Sequence, residues 1–403
     1  METNPSAAGL DESRLSRIHD HLEQQYIQAG RLAGAQVAIA RNGHIGYYTE
    51  VGFADRERNR PVAKDTIWRI YSMTKPIIGT ALMSLYEKGL FQLTDPVSRF
   101  IPSFANQKVR EPQPDGSMRY VEPRRPMNMS DAMMHMSGFG ITLMGLPEMP
   151  GGEDPKYLDR KITLEEYCDR LGGRHLDYHP GEHWVYGIST DICGRLIEVL
   201  SGQRLDHYLQ ETIFDPLGMV DTGFMVSDDK IDRFSATYRR NRNKELVLME
   251  DPQTSSYRKE PLFLSGGGGL VSTMGDYLTF TRMLVNGGEL NGVRILGRKT
   301  VDLMTMNHLP DGADMTKFAI PGSYGEVGFE GMGFGFTMAV SNGPVETAQI
   351  GNKGDFMWGG YASTTFWCDP TEDLTVVFMT QFIPSGTFNF RGQLKSLVYP
   401  TLL

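Results

Sequence analysis

The chain has 403 residues, 40 Lys and Arg against 49 Asp and Glu, and a formal charge of −9. That length can bury an ample core in one large domain or two ordinary ones, and the acidic balance speaks against nucleic acid and anionic membranes as partners. Cys168, Cys193 and Cys368 are scattered with no C-x-x-C, and neither a leader-like N-terminus nor a run of about 18 apolar residues is present, so the expectation is a cytoplasmic protein with no disulfide framework, no metal site and no cofactor.

In chain order, residues 11–29 read as an amphipathic helix with Leu15, Ile18, Leu22 and Ile27 on one face. Two strand-like runs, Gly34–Ala40 and His44–Val51, then flank Asn42-Gly43, the strongest two-residue hairpin turn. Next comes Ile70-Tyr-Ser-Met-Thr-Lys-Pro76. Apolar residues recur after it at Ile77, Ile78, Ala81, Leu82 and Leu85, and Gly89 is a stop, which predicts a helix over about 73–88. Pro76 suits its first turn, where a missing N–H costs nothing.

From 90 to about 165 the chain is rich in proline and reads as loop. Thr163-Leu-Glu-Glu166 is a capping box that opens a short helix to Leu171. Residues 189–200 and 204–213 read as two more helices, with no strand signal between 75 and 214. Helices follow at 275–286 and 297–307. Strand signals return at 333–340, 360–367 and 374–380, and a last helix is expected at 389–398. The pattern implies a mostly antiparallel sheet built from both chain ends, 1–70 and 225–403, flanked by helices, with 71–224 as an all-α insert: an α/β plus all-α fold.

Ser72 and Lys75 are the chemical centre of this reading. A serine attacks only when something takes its proton. A lysine three residues on shares its helix face. Here the pair sits among Trp68, Ile70, Ile77 and Ile78, an apolar frame that favours the neutral amine. A serine at a helix N-terminus also has backbone amides and the helix dipole beside any negative charge that develops.

Ser72-Met-Thr-Lys75 resembles the Ser-x-x-Lys of serine β-lactamases and penicillin-binding proteins. The surrounding text resembles the class C branch and its esterase relatives. It includes Leu90–Pro96, His135-Met-Ser-Gly138, Pro180-Gly-Glu182, Asp215–Met219, Gly266–Ser272 and Gly333-Phe-Gly335. The resemblance implies the β-lactamase (penicillin-recognising) fold, with the site in a cleft between the sheet domain and the helical domain. It makes Tyr186, in Tyr186-Gly-Ile188, the partner of Lys75 in taking the proton, and the sequence does not choose between the two as base. Ile188 stands where β-lactamases carry an asparagine. Trp358-Gly359-Gly360 stands where they carry Lys-Thr-Gly, and looks like the family VIII carboxylesterases. By this resemblance the N–H groups of Ser72 and Tyr361 form the oxyanion hole. Trp184, Ile188, Trp358, Gly359 and Gly360 line the substrate site, and the glycines admit the substrate close to a strand that begins at Tyr361.

The function implied is a serine carboxylesterase acting on short- to medium-chain esters through an acyl-enzyme on Ser72. Its expected partner is a small-molecule ester; the oligomeric state is not readable. The alternatives are an acyltransferase on the same scaffold and a β-lactamase or D-amino-acid peptidase. A silent binding member is opposed by the intact Ser72, Lys75 and Tyr186. No Gly-x-Ser-x-Gly elbow exists. His175, His179 and His183 are spaced by four, but Pro180-Gly181 breaks the helix a metal face would need. His135 reads as a packed, hydrogen-bonded histidine, and Gly266–Gly269 as backbone packed close to the site.

Overall fold

A computed structural model describes residues 1–140 and 161–403; Pro147 and Pro150 of the expected loop lie outside the described residues. Eight strands form one sheet in the order Met332–Phe334, Ala339–Ser341, Phe356–Gly359, Thr365–Asp369, Leu374–Thr380, Gly34–Arg41, His44–Asp55 and Arg60–Pro61. Every neighbouring pair is antiparallel. The expected union of the two chain ends occurs at the centre, where Val37 lies between Phe378 and Thr49.

The central strands show no alternation of burial. All seven residues of Leu374–Thr380 are buried, because helices cover both faces. Side-chain direction alternates along a strand, and the ring contacts follow it. Phe378 meets Phe390 of the helix Phe390–Val398. Phe366, whose partner across the ladder is the next residue, Val377, meets Tyr277 of the helix Met274–Val285 on the opposite face.

The Asn42-Gly43 turn forms as read, with both residues at positive φ. The capping box at Thr163 and Glu166 is present and opens the helix Leu164–Gly172. Three expectations need correction. Residues 333–340 are not one strand but two short ones, joined by a turn in which Thr337 has φ +68°. The strand expected from Tyr361 begins at Thr365; residues 360–364 are a turn after Phe356–Gly359. The stretch 75–214 does contain strands, the hairpin Val109–Pro112 with Met118–Val121. Its residues are half-buried or exposed for the most part, so no apolar alternation announces it.

Two short pairings position the site. Ile67–Arg69 pairs with Val271–Thr273, and Ile70 N–H donates to Leu270 O at 3.1 Å, which draws the run Gly266–Gly269 against the Ser72 turn. The helix Thr74–Glu87 packs on the helix Ser189–Ser201 and carries Tyr186 toward it. One core of buried apolar residues runs from the sheet through both helices. Among the described residues, no helix is long and apolar enough to cross a membrane.

Candidate active site

Ser72 lies in a single 3-10 turn, Tyr71–Met73, that leads into the α-helix Thr74–Glu87. The first bond of that turn runs from Met73 N–H to Ile70 O, so the Ser72 N–H precedes it. Tyr71 has φ +43°, a left-handed conformation that costs a tyrosine about 1–2 kcal/mol and is held by the packing around it.

Lys75 is 1% exposed, and its Nζ sits 3.1 Å from Ser72 Oγ and 2.6 Å from Gly267 O. Burial lowers its pKa from 10.5 to about 8, against the opposing pull of Asp191 and Glu326. About a tenth of the lysine is then neutral at pH 7 and able to take a proton from Ser72. The Tyr186 ring lies beneath the ammonium, 4.6 Å from Nζ to centroid.

Tyr186 is buried, and Trp358 Nε1–H donates to its hydroxyl oxygen at 3.3 Å. The Trp358 indole thus points inward at the tyrosine and is itself fully buried. Trp184 stacks on Tyr186 at 6.0 Å and 10°, also fully buried, and Ile188 is buried at the start of the helix Ser189–Ser201. All three brace the tyrosine's surroundings from within the core.

Tyr361 is 43% exposed, its ring edge-on to Tyr71 at 6.0 Å. Its N–H donates to none of the described residues, while its C=O accepts from Ser385 N–H at 2.9 Å. The glycines before it also lie close against the protein itself. A Cβ on Gly359 would lie 2.0 Å from Arg391 Nη2, and one on Gly360 would lie 2.4 Å from Ile70 O. At Gly360 the neighbour is fixed backbone beside the Ser72 turn, which leaves no room for a side chain; at Gly359 it is the end of the Arg391 side chain.

Behind this turn Arg391 pairs with the buried Glu326 at 3.2 Å and donates from Nε to Thr365 Oγ1 at 3.2 Å; Ser385 Oγ donates to Glu326 at 2.8 Å. Tyr324 bonds Ser385 and places its ring 6.1 Å from Tyr186. Asp191 is fully buried and accepts from Ser265 Oγ at 2.8 Å and Gly267 N–H at 2.9 Å. None of Asp191, Glu326, Ser385 and Arg391 was found from sequence as a site residue. Asp191 did leave a signal, an acid five residues after Tyr186 in the first turn of a helix; Glu326 sits in a glycine-rich loop with no pattern.

The glycine run is packed close, as expected: a Cβ on Gly266 would lie 2.5 Å from Thr190 O. His135 is packed among Trp184, Tyr186 and Phe334, but neither ring nitrogen has a partner among the described residues, so the expected hydrogen bond is absent. Burial, then Lys75, pushes its pKa well down, so it stays neutral. The three spaced histidines go to separate neighbours: His175 to Tyr120, His179 to Glu111 and Arg124, and His183 to Tyr178 and Phe318.

An antiparallel sheet flanked by helices, with a buried lysine one turn after a serine and a tyrosine ring beneath its amine, is the architecture of the β-lactamase and penicillin-binding-protein fold. The chain belongs to the Beta-lactamase family, whose model matches residues 19–394. It is similar to protein Rv1367c of Mycobacterium tuberculosis, 30% identical over 371 residues, 90% of this chain and 88% of that one. It is also similar to esterase EstB of Burkholderia gladioli, 29% identical over 402 residues, 95% of this chain and 94% of that one. Among solved structures it resembles EstCE1, described as a hydrolase with promiscuous acyltransferase activity, with TM-score 0.79, 27% identity and coverage of 96% and 99%. The proteins it is similar to thus include one named as an esterase and one described as a hydrolase.

Proposed function

We infer that the protein is a serine carboxylesterase that cleaves simple short- to medium-chain esters through an acyl-enzyme on Ser72. The observation that carries this reading is the 3.1 Å contact between Ser72 Oγ and the Nζ of a lysine that burial has made partly neutral near pH 7. Ser72 Oγ attacks the ester carbonyl while its proton passes to Lys75 and Tyr186. The N–H groups of Ser72 and Tyr361 receive the oxyanion; one such donor is worth roughly 3–4 kcal/mol where it has been removed from other enzymes. The tetrahedral adduct collapses, the alcohol leaves with the proton, and water repeats the attack on the acyl-enzyme. EstB, an esterase, supports hydrolysis of esters, and EstCE1, a hydrolase, supports hydrolysis.

A second reading, transfer of the acyl group to an alcohol in place of water, draws support from the acyltransferase activity in the description of EstCE1. Both readings share Ser72. A fluorophosphonate should label Ser72 in the wild type, and Ser72→Ala should abolish both labelling and hydrolysis of a nitrophenyl butyrate with the fold intact. An adduct mapped to another serine would refute the mechanism. Product analysis with added alcohol then separates transfer from hydrolysis.

A further inference from the structure

Lys75 is held by three contacts from three places in the chain: Ser72 on its own turn, the Tyr186 ring, and the carbonyl of Gly267. The third has its own support. Asp191 stands in the first turn of the helix Ser189–Ser201, and one of its oxygens accepts from both Ser265 Oγ at 2.8 Å and Gly267 N–H at 2.9 Å. The same residue, Gly267, therefore offers its N–H to Asp191 and its C=O to Lys75. The run cannot slide away toward the helix, because Gly266 already presses on the Thr190 carbonyl. We propose that Asp191 is a positioning residue for the proton acceptor: it fixes the Gly267 carbonyl that aims the Lys75 amine at Ser72, and its carboxylate is a counter-charge set within the core for that amine. This rests on the catalytic reading of Ser72 and Lys75 given above.

The carboxylate is buried completely, with no cation in direct contact among the described residues. A structural acid of that kind is rare unless it is paired. Here the charge it faces is Lys75, whose pKa it pulls upward against burial. The other groups that face Lys75 are the Ser72 hydroxyl, the Tyr186 ring, the Gly267 carbonyl, the paired carboxylate of Glu326, and the neutral His135 on which Lys75 acts in turn. Removing the Asp191 charge leaves Glu326 as the acid acting on the amine, so the amine loses its proton at lower pH.

The experiment measures kcat, KM and the pH profile of nitrophenyl butyrate hydrolysis by the full-length chain and three variants. Asp191→Asn keeps an oxygen for Gly267 and Ser265 but removes the charge. Its kcat should fall by about tenfold with KM nearly unchanged, and the acidic limb of kcat/KM should move to lower pH. Asp191→Ala removes both charge and anchor, and kcat should fall about 100-fold, the scale of an ångström's misplacement. Ser265→Ala takes from the carboxylate a hydrogen bond that favours its charged form against the burial that raises its pKa, so its hold on Lys75 weakens and the limb should move to lower pH. Wild-type kcat and limb in Asp191→Asn would overturn the proposal, as would a loss of rate with an unmoved limb, which marks a structural role alone. If the Asp191 variants do not fold, an unmoved limb in Ser265→Ala overturns it. Fluorophosphonate labelling of wild-type Ser72 in the same series separates the two failures: if Ser72 is not labelled, the catalytic reading falls; if it is labelled and the limbs stay in place, only the role of Asp191 falls.

Discussion

Replacing Lys75 by methionine should abolish activity and yet stabilise the protein at neutral pH. The side chain is 1% exposed and its pKa falls from 10.5 to about 8, because burial penalises the ammonium. At 1.36 kcal/mol for each tenfold change, that fall is a cost of ~3 kcal/mol to the folded state whenever the lysine is charged. Between pH 8 and 10.5 the folded chain holds fewer protons on this group than the unfolded one. Wild-type stability therefore rises with pH through that window, and the cost is present in full below it. Methionine carries no such cost and fills a similar apolar volume. It forgoes the hydrogen bonds to Ser72 and Gly267, about 1 kcal/mol each. The variant should then be more stable than wild type by ~1 kcal/mol at pH 7, a rise of roughly 2 °C in Tm for a long chain. By pH 9 the cost in the wild type has eased by ~1 kcal/mol, and the two Tm values should converge. Thermal unfolding of both proteins at pH 7 and 9, beside esterase assays, tests this. A difference that is independent of pH, or a variant less stable at pH 7, would refute the account of Lys75 as a charge held in the core at a cost.

Two further outcomes follow from the same geometry. Gly360→Ala would place a methyl 2.3 Å from Thr364 Oγ1 and 2.4 Å from Ile70 O; the hydroxyl can rotate but the carbonyl cannot, so the turn that bears the Tyr361 N–H must shift. We expect kcat to fall about 100-fold with KM little changed, and wild-type kcat in this variant would remove Tyr361 from the oxyanion hole. Substrate choice follows from Ile188 and Trp358: the first is apolar and buried, the second spends its N–H on Tyr186, and Arg391, against Gly359, is engaged by Glu326 and Thr365. A β-lactam's carboxylate finds no cation among these residues, so kcat/KM for a nitrophenyl butyrate should exceed that for a cephalosporin by at least ~100-fold, about 3 kcal/mol of transition-state binding. Equal efficiency on the two would favour the β-lactamase reading.

The sequence by itself determined whatever depends on short spacing. Ser72 and Lys75 are three residues apart, so any helix that holds one presents the other on the same face. Asn42-Gly43 made its hairpin because those residues accept the positive φ it demands, and Thr163 with Glu166 capped its helix through local bonds. Two strands at the middle of the sheet were also legible, Gly34–Ala40 beside its Asn-Gly turn and 374–380 as a strand signal. Tertiary structure decided the rest, because its causes lie far apart in the chain. Whether Trp358 faces a substrate or a tyrosine depends on residue 186, and the space denied to a Cβ at Gly360 belongs to Ile70. The partners of Lys75 at Gly267 and Asp191 come from separate segments, brought together by the pairing of Ile67–Arg69 with Val271–Thr273 and by the packing of two helices. A buried carboxylate looks like any other acid in a sequence; only its neighbours in space show that the charge it balances is the amine beside Ser72.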